Sequence, residues 1–78
     1  MTLTLASMTR TVALLGATGY TGRLTAAELE RKGLAHRVGG RSKARLAEVP
    51  STGERHRVDL ADPASGDAFL DGVDVLIT

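Results

Sequence analysis

The sequence predicts an α/β fold in three layers, with helices on both faces of a parallel sheet of about four strands. Three observations support this fold class. Short apolar runs alternate with helix-like segments in the order β-α-β-α-β-α-β, which implies parallel strands with right-handed crossovers. The first apolar run is continuous, as in a strand buried on both faces. A glycine-rich loop joins that run to the first helix.

Hydrophobic periodicity and capping signals place each element in turn. The predicted strands cover residues 11–15, 34–39, 55–58 and 73–78, and the predicted helices cover 21–32, 43–49 and 64–70. In the first helix Ala26 and Leu29 fall on one stripe, and Gly33 supplies a C-terminal stop. Ser42 can cap the second helix, and Asp62 followed by proline starts the third.

Composition limits the class of protein. A hydrophobic content of 42% with 24% charged residues fits a folded chain, and no run is long enough to cross a bilayer. Without cysteine, neither disulfides nor a cysteine-based zinc site can stabilise it. Residues 1–9 lack secretory features and are predicted to be a flexible extension, with Met1 and Met8 as alternative starts. The expected compartment is the cytoplasm.

Charge is unevenly distributed along the chain although its net value is only +1. Six basic residues and no acid lie between Arg31 and Arg45, whereas only acids follow Val58. Such a positive segment suits an anionic ligand. Nucleic acid is not expected as a partner, because Tyr20 and Phe69 are the only aromatic residues and stacking surfaces need more of them.

The glycine loop has the chemistry of a phosphate site. Gly16 permits a sharp exit from the first strand, Gly19 allows the backbone close to a phosphate, and Gly22 allows the helix to pack on the strand. Thr18 and Thr21 add hydroxyl groups. Because the loop follows a buried strand and opens a helix, it predicts the dinucleotide-binding turn of a partial Rossmann fold over residues 10–78. A P-loop is disfavoured, since the chain contains no Gly-Lys-Ser/Thr.

The end of the second strand indicates which dinucleotide is held. An NAD site places an acid there for the ribose 2′-hydroxyl, but this chain has Arg41 and Ser42, which suit a 2′-phosphate. NADP is therefore favoured over NAD. Asp59 ends the third strand, where it could accept from the adenine amino group or cap the following turn.

No catalytic or metal-binding residue is predicted. His36 and His56 lie at strand entrances without the spacing of a metal pair, so both are expected at the surface. Tyr20 lies within the glycine loop and has no lysine four residues later. We expect it to pack against the cofactor or a neighbouring loop rather than to act as an acid.

Three segments together resemble the NADP-binding domain of saccharopine dehydrogenase-like oxidoreductases, a group that includes trans-acting enoyl reductases. These segments are residues 12–23, 40–46 and 58–62. The resemblance covers residues 10–78 but only the first half of the family's cofactor domain, so a substrate domain is expected in a full-length homologue. It implies cofactor contacts from Thr18, Gly19, Tyr20, Thr21, Arg41, Ser42, Asp59 and Leu60.

Two functions remain open at this stage. The first is the NADP-binding portion of an oxidoreductase, and the alternative is a non-catalytic NAD(P)-binding sensor or regulatory module. The glycine string is shared with N-acetyl-gamma-glutamyl-phosphate reductases and with isoflavone-reductase-like dehydrogenases. The Gly-Arg-Ser segment at residues 40–42 favours the saccharopine-like group.

Overall fold

The structure, a computed structural model, describes residues 10–78. The predicted extension at residues 1–9 lies outside them. The strands are β1 (Val12–Leu15), β2 (His36–Gly40), β3 (Glu54–Arg57) and β4 (Val75–Ile77), and the helices are α1 (Tyr20–Arg31), α2 (Lys43–Leu46) and α3 (Pro63–Leu70). Every predicted element is present. Helix α2 is shorter than expected, and residues 47–49 follow it as turns in which Val49 N donates to Leu46 O.

The four strands form one parallel sheet in the order β3-β2-β1-β4. The chain thus builds outward from β1 to β3 and then returns to the other side of β1. The order of the strands reverses between β1 and β4, and open α/β sheets bind ligands outside the carboxyl ends of the strands at such a point. The glycine loop leaves β1 at this edge.

Helices cover both faces of the sheet, which confirms the predicted three layers. Helices α1 and α2 lie over the larger buried cluster, which contains Leu14, Ala17, Ala26, Leu29, Val38, Leu46 and Val49. Helix α3 covers the other face, where Phe69 packs with Ala13 and Val58. A side chain at Gly39 would lie 2.8 Å from the Phe69 ring, so the absence of a side chain there lets α3 approach the sheet.

The predicted C-terminal stop of α1 and the predicted cap of α2 are confirmed. Gly33 has a φ of +67°, and Leu34 N donates to Leu29 O, which closes α1 with a Schellman-type turn. The Ser42 hydroxyl accepts from Arg45 N at 3.2 Å and caps α2. Within residues 10–78 no helix is long and apolar enough to span a membrane.

The surface position expected for His36 is wrong. His36 begins β2 and is only 8% exposed. Its Nδ1 lies 2.7 Å from Leu34 O and its Nε2 lies 2.6 Å from the Ser51 hydroxyl. Both ring nitrogens thus have polar partners, which offset the cost of burying the imidazole.

Candidate functional site

The glycine loop is anchored to the neighbouring strand. Gly16 leaves β1 with a φ of +80°, and the N–H groups of Gly16 and Ala17 both donate to Gly39 O, at 3.0 and 3.1 Å. A side chain at Gly22 would place its Cβ 2.1 Å from Gly16 O. The first turn of α1 therefore packs against the backbone at the end of β1, the close approach that the sequence predicted for Gly22.

The start of α1 offers unpaired backbone donors. The N–H groups of Tyr20, Thr21 and Gly22 precede the first helical hydrogen bond, and no acceptor in residues 10–78 takes them. The first turn carries no acid. With the positive end of the helix dipole, these donors suit an anion such as a pyrophosphate.

Gly19 caps α1 and has more space than Gly22. A Cβ at Gly19 would lie 3.7 Å from Gly16 O, an ordinary van der Waals distance. Its backbone is extended, with a φ of −76°, which other residues also adopt. The packing of the protein itself therefore does not require glycine at this position.

Cavities surround the loop, and three of them matter for the site at the carboxyl edge of the sheet. The first, of about 380 Å³, lies between the loop and the end of β4, and its lining includes Thr21, Gly22 and Thr78. The second, also about 380 Å³, is lined by Leu15, Gly16, Thr18, Gly19, Gly40, Arg41, Val58 and Leu60. The third, of about 510 Å³, is lined by Thr18, Arg41, Ser42 and Arg45.

Thr18 and Arg41 each line the second and third cavities, so the structure brings the glycine loop and the Gly-Arg-Ser segment together. The third cavity has two arginines and no acid in its lining. Arg45 was anticipated only as part of the general positive field, because its place beside Arg41 depends on how α2 folds back after β2. The apolar Leu15 and Val58 were not anticipated either.

The Asp59 side chain caps a turn. Its Oδ1 accepts from Ala61 N at 2.9 Å, and its Oδ2 lies 3.6 Å from an Arg57 nitrogen. Of the two interpretations left open, the turn cap is the contact that the side chain makes within the protein. Leu60 next to it is 87% exposed and lines the second cavity.

Tyr20 is 82% exposed at the start of α1, so little of its ring packs on the protein. It lines the first cavity, and it also lines a further cavity whose lining includes Pro50, in the loop that follows α2. Within residues 10–78 no group of histidine and acidic side chains could hold a metal ion.

A second polar cluster, which the sequence did not predict, lies at the opposite edge of the sheet. Glu30 near the end of α1 accepts from Thr52 N at 2.9 Å and from the Thr52 hydroxyl at 2.8 Å. The backbone hydrogen bond from Thr52 is the main reason that the pKa of Glu30 lies below its usual value of 4.5. These groups satisfy one another and face away from the glycine loop, so we interpret the cluster as structural.

Solved structures share this architecture, and two of them illustrate the likeness. A short-chain dehydrogenase from Bacillus anthracis superposes with a TM-score of 0.67 at 18% identity, over 86% of this chain and 34% of that one. A point variant of actinorhodin polyketide ketoreductase, solved with NADPH, gives a TM-score of 0.67 at 27% identity, over 86% of this chain and 31% of that one. The chain has a partial Rossmann fold. It spans about a third of the length of these two proteins.

Sequence-level comparisons add no family. No protein-family model matches the chain, and no curated protein matches it. The partial Rossmann fold therefore rests on the strand order, the crossovers and the two structural likenesses.

Proposed function

We propose that this chain is the NADP-binding portion of an oxidoreductase. The observation that carries the proposal is the cavity formed by Thr18, Arg41, Ser42 and Arg45, which is basic and adjoins the glycine loop. An NAD site would hold an acid at the end of β2 for the ribose hydroxyl, and a carboxylate there would repel a 2′-phosphate. In this chain Arg41 follows Gly40 directly at that place.

The proposed cofactor spans the three cavities. The N–H groups of Tyr20, Thr21 and Gly22 at the N-terminus of α1 would hold its pyrophosphate. The second cavity, which Leu60 lines, would hold the adenosine, and the third would hold the 2′-phosphate. The first cavity, beside β4, would be left for the nicotinamide end. Once bound, the nicotinamide supplies the hydride chemistry, while this chain supplies binding and orientation.

NADP as the cofactor agrees with the ketoreductase that was solved with NADPH. Within oxidoreductases we propose the saccharopine dehydrogenase-like group, on the glycine string together with the Gly-Arg-Ser segment at residues 40–42. We place the chain in the cytoplasm, and we assign substrate binding and catalysis to a further domain of the full-length homologue. None of residues 10–78 is assigned a catalytic role.

The test is ligand binding by the 78-residue chain. NADPH should raise the thermal midpoint of unfolding, because a ligand that binds only the folded state stabilises it. Arg41→Ala should weaken NADPH binding by about 1–3 kcal/mol, the size expected for loss of a charged hydrogen-bond partner. NADH binding should barely change, since its 2′-hydroxyl carries no charge.

Isothermal titration calorimetry of both dinucleotides with the wild-type chain and Arg41→Ala measures these effects. Lys43→Ala is the matched control, because Lys43 is an exposed cation of the same segment that does not line the cavity. Equal losses for NADPH and NADH would contradict a 2′-phosphate site. Failure of the folded chain to bind either one would contradict dinucleotide binding.

A further inference from the structure

The arginines of the described chain differ in whether their side chains have partners within the protein. Those whose side chains have protein partners are Arg31, Arg37, Arg55 and Arg57. Arg37 and Arg55, for example, donate to the backbone carbonyls that follow α3 and α2. In contrast, the guanidinium groups of Arg41 and Arg45 have no hydrogen bond or ion pair with any residue in the range 10–78.

The two residues that carry these unpaired guanidinium groups line the same cavity. The cavity is completed by Thr18 from the glycine loop and by Ser42 at the start of α2. Two cations without a protein partner that share one concave site raise its positive potential, which favours an anion there. Structural pairing accounts for the arginines that have protein partners. Of the arginines without a side-chain partner among residues 10–78, Arg41 and Arg45 line this cavity, whereas Arg10 and Arg23 do not.

The Ser42 cap fixes where the Arg45 backbone lies. Arg45 N donates to the Ser42 hydroxyl at 3.2 Å, so the oxygen of Ser42 is used within the protein. The hydroxyl hydrogen stays available to donate to an anion in the cavity. The contact also holds the backbone of Arg45 beside Ser42. The Arg45 side chain therefore extends from a helical backbone close to Arg41 and not from an irregular loop.

We infer that Arg45 is a second specificity-determining residue, which binds the 2′-phosphate of NADP together with Arg41. This inference rests on the proposed function. A ribose 2′-phosphate carries close to two negative charges and three acceptor oxygens, more than one guanidinium satisfies. NAD has a neutral hydroxyl at the same position, so Arg45 discriminates between the two cofactors instead of strengthening both.

Lys43 and Arg23, two nearby cations that do not line this cavity, allow direct binding by Arg45 to be distinguished from a general positive field. Lys43 is exposed in the same helix but does not line the cavity. Arg23 lines a neighbouring cavity with Thr18 and Pro50 and is absent from this one. A diffuse field would make all three positions similar, whereas direct contact makes Arg45 distinct.

The experiment measures dissociation constants for NADPH, NADH and 2′,5′-ADP with the wild-type chain, Arg45→Ala, Lys43→Ala and Arg23→Ala. We expect Arg45→Ala to weaken NADPH and 2′,5′-ADP by about tenfold or more, as for loss of a hydrogen bond to a charged group. NADH should change by less than about twofold, and the two control variants should lower NADPH affinity only slightly. Arg45→Lys keeps the charge but loses the planar fork, and should fall between Arg45→Ala and wild type.

Three outcomes would overturn the inference. Equal effects of Arg45→Ala and Lys43→Ala on NADPH would indicate a diffuse field. An equal loss of NADH would remove the role in specificity. A loss with Arg41→Ala but none with Arg45→Ala would leave the proposed function intact and refute this inference alone, whereas a wild-type chain that binds no dinucleotide refutes both. Circular dichroism of each variant identifies unfolding, and Arg45→Lys replaces Arg45→Ala if the latter does not fold.

Discussion

At the residue scale, Gly19 and Gly22 lie in one loop for different physical reasons. Gly22 is required by the protein, because a Cβ there would lie 2.1 Å from Gly16 O, inside the contact distance of two heavy atoms. Gly19 has ordinary space around it, with the nearest atom at 3.7 Å. On the proposed function, a methyl group at Gly19 would instead interfere with the phosphate that the start of α1 binds.

Alanine substitutions should therefore separate the two glycines. Gly19→Ala should leave the thermal midpoint near the wild-type value, because the backbone there is extended and no atom crowds the new methyl group. The same substitution should weaken NADPH binding by about tenfold or more, the cost of displacing a phosphate from backbone donors. Thermal unfolding and calorimetric titration of the same samples measure both effects.

Gly22→Ala is the matched comparison. The same added methyl group should lower the free energy of unfolding by about 1–3 kcal/mol, as overpacking does, because α1 must move away from β1. If Gly19→Ala destabilised the chain as much as Gly22→Ala and left NADPH affinity unchanged, the phosphate role of Gly19 would be refuted.

At the element scale, α1 contacts the rest of the fold at both ends, by backbone packing at its N-terminus and by side-chain hydrogen bonds near its C-terminus. Its N-terminus packs on the loop after β1, whereas near its C-terminus Glu30 accepts two hydrogen bonds from Thr52 in the segment before β3. The second contact joins residues far apart in the sequence. It connects the helix to the outer half of the sheet, where β3 is the edge strand.

The Glu30 contact predicts a specific dependence of stability on pH. The pKa of Glu30 is lowered from 4.5, mainly by the backbone hydrogen bond from Thr52. The contact therefore stabilises the fold fully above pH 4.5, and its contribution is lost as the pH falls through the lower pKa of the folded state. Glu30→Gln should be less stable than wild type at neutral pH, and the difference should shrink below pH 4.5.

Urea unfolding across this pH range measures the difference. Glu48→Gln serves as the control, because the Glu48 side chain is exposed and has no hydrogen bond or ion pair among the described residues. It should remain close to wild type at neutral pH. A difference between wild type and Glu30→Gln that stayed constant with pH would contradict the role of the charged carboxylate.

These elements also indicate how far the sequence could predict the structure. The positions of α1, its Gly33 stop and the Ser42 cap depend on signals within a few residues, and each is confirmed. The burial of His36 could not be predicted, because its partner Ser51 lies fifteen residues later in a loop whose path depends on the tertiary fold. The cavity shared by Arg41 and Arg45 could not be predicted for the same reason, because it depends on how α2 folds back after β2.

At the scale of the whole molecule, the two faces of the sheet have cores of unequal size. The face beneath α1 and α2 buries a continuous apolar cluster, whereas the face beneath α3 depends on Phe69 packed with Ala13 and Val58. A chain of this length buries a smaller share of its surface than a larger domain and has little stability in reserve. The third layer is therefore the part of the fold that is most easily lost.

Phe69→Ala should remove that layer. Phe69 is 2% exposed, and truncation of a buried phenylalanine costs about 3–5 kcal/mol, which approaches the whole stability of a small domain. Because Asp59 N donates to the Ser65 hydroxyl of α3, release of this helix should also free the loop that carries Leu60. NADPH binding should then weaken in proportion to unfolding, measured by titration beside circular dichroism.

A substitution at the next residue distinguishes loss of the layer from general damage to α3. Leu70 is 44% exposed, so Leu70→Ala should cost about 1 kcal/mol or less while it keeps the helix and the affinity for NADPH. Phe69→Leu should lie between the two alanine variants, since leucine fills part of the space over Gly39. If Phe69→Ala and Leu70→Ala lowered stability equally, the face beneath α3 would not depend on this ring, and the assignment of Phe69 as its main packing residue would be wrong.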